Sequence, residues 1–278
     1  MKEKDLPYGI TMNDYLFKVD VHKLLDKIEN FKRLNIKKMN EKQIRKEIME
    51  VLLFDDKSVL QQRTSKFETG KVIYRIRKLK NCDIPNLEMK AVQDAWNPPD
   101  KFVRRQRLNK SYESLLYTCF EVDTALEETK IKENESFALI CYEIIDDIKA
   151  TLIGINNDFS EYDDNDRLKL RIINNFLKDE FTREVGEGNE HLYKLSEIIA
   201  KDYFDLPPRA VQDAWCYSSI ANKSAINLCM RPDIATEKLK VKYVSLSEGY
   251  ERFENGIQLN VKDHLIIEND KFVSVMDK

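Results

Sequence analysis

A chain of 278 residues, 42% of them hydrophobic, is long enough to bury one large core or two smaller ones. Its 46 basic and 49 acidic side chains leave a net charge of -3, and without a basic excess nucleic acid is not an expected partner. The start, MKEKDLPYGI, has no apolar signal-peptide core, and no run approaches the ~20 apolar residues of a membrane span, so a cytoplasmic protein without a membrane anchor is expected.

Cys82, Cys119, Cys141, Cys216 and Cys229 are odd in number, widely spread and mostly set in apolar runs, as reduced buried thiols are. His22, His191 and His264 lie far apart and no CxxC occurs, so no metal site is expected. Gly186 and Gly188 form the only G-x-G among seven glycines, with no third glycine and no preceding apolar strand of the required kind. That argues against a Rossmann or P-loop nucleotide site.

Residues 1–65 read as a helical extension and 66–278 as the main domain. Val21, Leu24, Leu25, Ile28, Phe31 and Leu34 share one helical face, and Asn40 with Gln43 resembles a capping box opening a second helix with Ile44, Ile48, Val51 and Leu52 inward. These helices are expected to cover the main domain or another protomer. From Gly70 the period changes: Val72, Tyr74 and Ile76 alternate with Ile73, Arg75 and Arg77, so a strand places both arginines on one face. A solvated face or structural ion pairs would account for them.

Asn97, Pro98, Pro99 and Asp100 break the pattern before a basic stretch with Lys101, Arg104, Arg105 and Arg107, of which Arg104 and Arg105 read as solvated. Leu115, Leu116, Tyr117, Cys119 and Phe120 form a strand-like run, and Asp123 is placed to cap a helix through Glu128. Loop, strand and helix would deliver Arg107, Tyr117 and Glu128 to one region. Read singly, the same residues are a surface charge, a core ring and a solvated helix position.

Residues 136–144 and 149–155 fit a hairpin or adjacent strands, and 157–167 an exposed acidic loop that lacks the glycine and closing glutamate of an EF-hand. Two helices follow over 168–204, ended by Leu206, Pro207 and Pro208. A strand at 241–246 and short terminal strands complete the chain. The hexamer AVQDAW occurs at 91–96 and again at 210–215, too far apart for a repeat architecture.

The motif R-L-N from Arg107, a tyrosine ten positions on at Tyr117, and T-A-L-E-E ending at Glu128 together resemble the core signature of the RES-domain family. Ser219 within Tyr217, Ser218, Ser219 looks like the family's serine, and Asn227 before Leu228, Cys229 and Met230 like its downstream asparagine. Tyr74, Arg75, Ile76 and Arg77, with the Trp96 to Pro99 segment, look like its opening strand and proline loop, so the resemblance spans about 70–247. One departure is Gln106, where the family commonly carries glycine.

The resemblance implies an α+β fold, with an ADP-ribosyltransferase-like twisted β core, flanking helices and an added N-terminal helical region. It further implies cleavage of NAD at the nicotinamide–ribose bond, by a toxin-like protein neutralised by a separate antitoxin. Glu128 would stabilise the cationic ribose, Arg107 with Arg75 would grip the pyrophosphate, and Arg77 is a weaker candidate. Tyr117 would offer its ring, Ser219 would bind substrate or orient Glu128, and Asn227 would join the binding residues. NAD is then substrate rather than cofactor, and the acceptor stays open between water, inorganic phosphate and a protein side chain. The other class is a catalytically silent module acting through its N-terminal helices, and a homo-oligomer is compatible with either.

Overall fold

The structure, a computed structural model, describes residues 16–275 except 17, 56, 61, 83–87, 156–158, 187, 188, 206–211, 223 and 255. MKEKDLPYGI, Gly188, the Leu206, Pro207, Pro208 stop and the first two residues of the second AVQDAW copy lie outside the described residues. Among the described residues β1 (Leu53–Phe54) and β2 (Lys57–Ser58) form a small hairpin, and ten further strands form one sheet. In chain order these are β3 (Arg63–Phe67), β4 (Val72–Lys78), β5 (Leu116–Cys119), β6 (Phe137–Ile144) and β7 (Ile148–Ile153). They are followed by β8 (Ala214–Ser218), β9 (Ile226–Met230), β10 (Leu239–Phe253), β11 (Gly256–Glu268) and β12 (Lys271–Ser274).

The sheet order is β12-β11-β10-β6-β4-β5-β9-β8-β7-β3, and every pairing is antiparallel except β7 with β8. β6 reads FALICYEI and is buried on both faces, as a central strand with a near-continuous apolar run should be. β6 and β7 do not pair with each other, contrary to the hairpin reading. β4 pairs with β6 and β3 with β7, so one two-stranded ribbon bends from one half of the sheet into the other. Gly70 at φ +88 takes the bend, its N–H donating to the Ile144 carbonyl at 2.8 Å, and the Thr69 N–H donates to Asp147 at 3.0 Å. The two halves enclose a core of Ile73, Ile140, Tyr142 and Val244 on one side and Ala150, Cys216, Leu228 and Met230 on the other. Of the terminal strands only β12 is short, at four residues; β10 runs for 15 residues and β11 for 13.

Among the described residues six α-helices flank this sheet: α1 (Val21–Lys32), α2 (Glu41–Leu52), α3 (Val122–Glu128), α4 (Asp164–Thr182), α5 (Tyr193–Tyr203) and α6 (Pro232–Lys238). The expected capping box opens α2, Gln43 N–H donating to Asn40 Oδ1 at 3.0 Å and Asn40 N–H to Gln43 Oε1 at 2.9 Å. Leu24, Ile28 and Phe31 of α1 and Ile44, Ile48, Val51 and Leu52 of α2 are buried in one core with Phe176 of α4, Ile198 of α5 and Trp215 of β8. Leu25 departs from the expected stripe and is 46% exposed. The N-terminal helices therefore cover this same chain, and the boundary expected at residue 65 falls inside β3. The acidic loop is also shorter than expected, because Asp163 caps α4, whose buried Asp166 pairs with buried Lys169 at 3.0 Å.

The two AVQDAW copies take different structures. The first forms a 3-10 turn at Val92–Ala95, where Asp94 Oδ2 accepts the Lys90 and Ala91 N–H groups. The second enters β8, where Asp213 accepts the Lys149 N–H from β7 at 2.8 Å. Each neighbourhood, not the hexamer itself, decides the backbone.

Ile48 is fully buried at the centre of the N-terminal helical layer. Ile48→Ala is expected to cost about 2–5 kcal/mol in urea unfolding, in a single transition shared with the sheet. A separate early transition for the helices would contradict the common core.

Candidate active site in the seam of the sheet

β4 meets β5 at a single pair, Tyr74 opposite Cys119, whereas β4 and β6 share seven consecutive pairs. The sheet is thus split along this line. The register carries one row of side chains across the split: Tyr74 opposite Cys119, Cys119 opposite Asn227, and Asn227 opposite Tyr217. Directly opposed residues of an antiparallel pair point to the same face, so these four form a floor. A cavity of about 740 Å³ opens over it, walled by the end of α3, the loop from Pro98 to Asn109, and Glu184, Val185 and Tyr193.

α3 follows β5 after two residues and folds back over the sheet because Ala125 and Leu126 bury against Ile76, Phe137 and Leu139. It begins at Val122 with Glu121 as N-cap, two residues before the expected cap at Asp123. Glu128 is its last residue and stands over the β8–β9 connection. Glu128 Oε1 accepts three hydrogen bonds, from Ser219 Oγ at 2.5 Å, the Ile220 N–H at 3.1 Å and Asn227 Nδ2 at 2.9 Å. Oε2 accepts none among the described residues. The Cys119 thiol donates to Asn227 Oδ1 at 3.0 Å, which orients the amide with its NH₂ toward Glu128. The neighbouring Glu127 is half-buried and pairs with Arg252 at 3.0 Å.

Arg107 is buried, and its guanidinium donates to the carbonyls of Glu180, in the last turn of α4, at 3.5 Å and of Arg183, just after it, at 3.0 Å. It lies over the Tyr193 ring, 5.3 Å from the centroid, and has no carboxylate partner among the described residues. Its carbonyl accepts Ser196 Oγ at 2.8 Å. The Tyr117 hydroxyl is occupied within the protein, donating to Asn109 Oδ1 at 2.7 Å and accepting the Leu108 N–H at 3.2 Å. Burial, then the neighbouring Cys229 and Tyr217, push that hydroxyl well above its ordinary range. Tyr117 therefore offers the cavity its ring, while its hydroxyl fixes the R-L-N loop. Gln106 takes no positive φ, so this loop does not need the family's glycine there.

Arg75 lines the cavity and donates to the carbonyls of Trp96 at 2.8 Å and Ala95 at 3.3 Å. Arg77, expected as a weaker binding candidate, is not among the residues lining the cavity and is tied to Asp94 at 3.3 Å. Arg105 is not solvated either, pairing with Glu197 at 2.6 Å. Asn109, Ser196 and Cys119 are the positioning residues that sequence reasoning missed. Asn109 alone had a signal, its place inside R-L-N. Among the described residues no cluster of His, Cys, Asp and Glu is placed to hold a metal, and no helix is long and apolar enough to cross a membrane.

Burial, then the charges of Glu128 and Glu121, raise the Cys119 thiol from 9.0 to about 12. The stabilisation from keeping it protonated is complete below about pH 9 and is lost as pH rises toward 12. Across that window the stability of Cys119→Ala is expected to fall less steeply than wild type, by up to about 1.4 kcal/mol per pH unit, in urea titrations at stepped pH. Identical slopes would place the thiol outside the buried cluster. Set against known protein families, curated proteins and solved structures, the chain matches none.

Proposed function

We propose that this chain is an NAD-degrading enzyme, built on an ADP-ribosyltransferase-like core, that breaks the nicotinamide–ribose bond and passes the ADP-ribosyl group to water or inorganic phosphate. The observation that carries the reading is Glu128, with Oε1 fixed by three donors and Oε2 without a partner, on the wall of a cavity that also holds Arg107 and Arg75. At about 740 Å³ the space suits a ligand of dinucleotide class.

As nicotinamide leaves, positive charge develops on the ribose, and a carboxylate already held in place stabilises it without reorganising. The two guanidinium groups, neither paired with a carboxylate among the described residues, suit the diphosphate. The half-buried rings of Tyr74 and Tyr117 supply flat surface for ribose or nicotinamide. Ser219 acts through Glu128 as a positioning residue. Nicotinamide departs as a neutral molecule, so the chemistry needs no strong acid beside it. An activity that empties a cell of NAD is toxic to it, and the reading extends to a toxin held in check by a separate antitoxin protein.

Incubation with NAD, with and without phosphate, followed by chromatography tests the reading. Free nicotinamide with ADP-ribose, or with ADP-ribose-1''-phosphate when phosphate is present, is the expected result. Glu128→Gln is expected to keep its fold and lose about 10²- to 10³-fold in turnover. Intact NAD would favour the silent interaction module, and wild-type turnover in Glu128→Gln would remove that residue from the mechanism.

A further inference from the structure

The loop that carries Arg107 is held from outside the cleft by a charged cluster that joins it to both α2 and α5. Arg105 pairs with Glu197 of α5 at 2.6 Å and approaches Glu41 of α2 at 3.6 Å. Lys110, on the other side of Arg107, reaches the same two carboxylates at 3.7 Å and 3.8 Å. Arg45 of α2 closes the cluster, pairing with Asp202 of α5 at 2.6 Å and with Glu41 at 3.5 Å, and Lys201 pairs with Glu113. Four acids, Glu41, Glu113, Glu197 and Asp202, thus balance four bases, Arg45, Arg105, Lys110 and Lys201.

This cluster differs from ordinary surface pairs in two ways. The Glu197 side chain is only 1% exposed, so its charge is desolvated and depends on Arg105 and Lys110 to compensate it. The flanking contacts also address Arg107 itself. On α5, Tyr193 lies beneath the guanidinium, Ser196 donates to the Arg107 carbonyl, and Glu197 holds the residues two before and three after it. Tyr193, Ser196, Glu197 and Lys201 follow i, i+3, i+4, i+8 spacing, one face of a helix.

We propose that Glu197 and Glu41 are positioning residues that set the Arg107 loop, and that the N-terminal helices serve the cleft by supplying Glu41 to this clamp. Loosening the clamp lets the guanidinium depart from the orientation in which it meets an anionic group, so substrate binding weakens while Glu128 is untouched. The activity arm rests on the NAD reading above; the exchange arm does not.

Glu41→Gln and Glu197→Gln are expected to raise KM for NAD about 3- to 10-fold with kcat within about twofold, the pattern of lost binding rather than lost chemistry. Both are expected to speed amide hydrogen exchange across 104–112, where Gln106, Leu108 and Tyr112 N–H groups are hydrogen-bonded. Glu41→Asp is expected to restore most of the loss. Glu29→Gln, which removes an exposed α1 pair with Arg33, is the control and is expected to change neither readout. The double variant is expected to show less than the sum of the two single effects, because both acids share Arg105 and Lys110. If Glu197→Gln does not fold, Glu41→Gln decides. Unchanged loop exchange in a folded Glu41→Gln overturns the clamp, as does a fall in kcat at constant KM. If the wild type leaves NAD intact, the proposed function fails and exchange alone judges the clamp.

Discussion

A carboxylate at the carbonyl end of a helix sits where the aligned peptide dipoles oppose it. Glu128 is in that position on a seven-residue helix, and three donors converge on a single one of its oxygens. Those donors come from the connection after β8 and the start of β9, so the contact ties α3 to the far side of the split sheet. Stability alone would favour a lysine or an uncharged residue there. The arrangement instead offsets an unfavourable charge with a dedicated set of donors, and it leaves the second oxygen unpartnered at the cleft. Local cost accepted at one side chain, with compensation from its neighbours, is how functional groups commonly appear in folded chains.

The seam explains why residues so distant in sequence meet. β5 contributes Tyr117 and Cys119, β9 contributes Asn227, and β8 leads into Ser219, all in one sheet register. β4 on the other bank contributes Tyr74 and Arg75. Arg107 reaches the cleft from a loop held at three kinds of contact: carbonyls at the end of α4, a ring and a hydroxyl on α5, and the Tyr117 hydroxyl from β5. The loop is therefore as well determined as a strand, although it belongs to no regular element.

Local signals were the legible part. Asn40 and Gln43 announced a helix start, the alternation through Val72 to Arg77 announced β4, and the strand-to-helix change before Glu128 located α3 within two residues. The R-L-N, Tyr117 and Glu128 spacing together with Ser219 and Asn227 picked out side chains that do line one cleft or touch one carboxylate. What stayed hidden depends on partners far along the chain. Arg77 looks no different from Arg75 until Asp94 is placed beside it. The polar stripe of α5 resembles a solvated face because the loop it grips lies 92 positions away from Glu197 at Arg105. A tyrosine in a strand gives no sign that its hydroxyl is spent on an asparagine eight residues earlier. AVQDAW makes the same point, since the QDAW part common to both copies in the described residues lies once in and beside a 3-10 turn and once leads into β8.

The ribbon formed by β3–β4 and β6–β7 is paired along both arms on either side of the bend, while across the cleft the two banks share one rung. Mechanically, that is a stiff spine opposite a weak stitch. Force applied between the banks concentrates on the Tyr74 and Cys119 backbone, and parting that rung exposes far fewer main-chain groups than parting any other line inside the sheet. In main-chain hydrogen bonds alone, the cleft is accordingly the line along which the sheet is least tied.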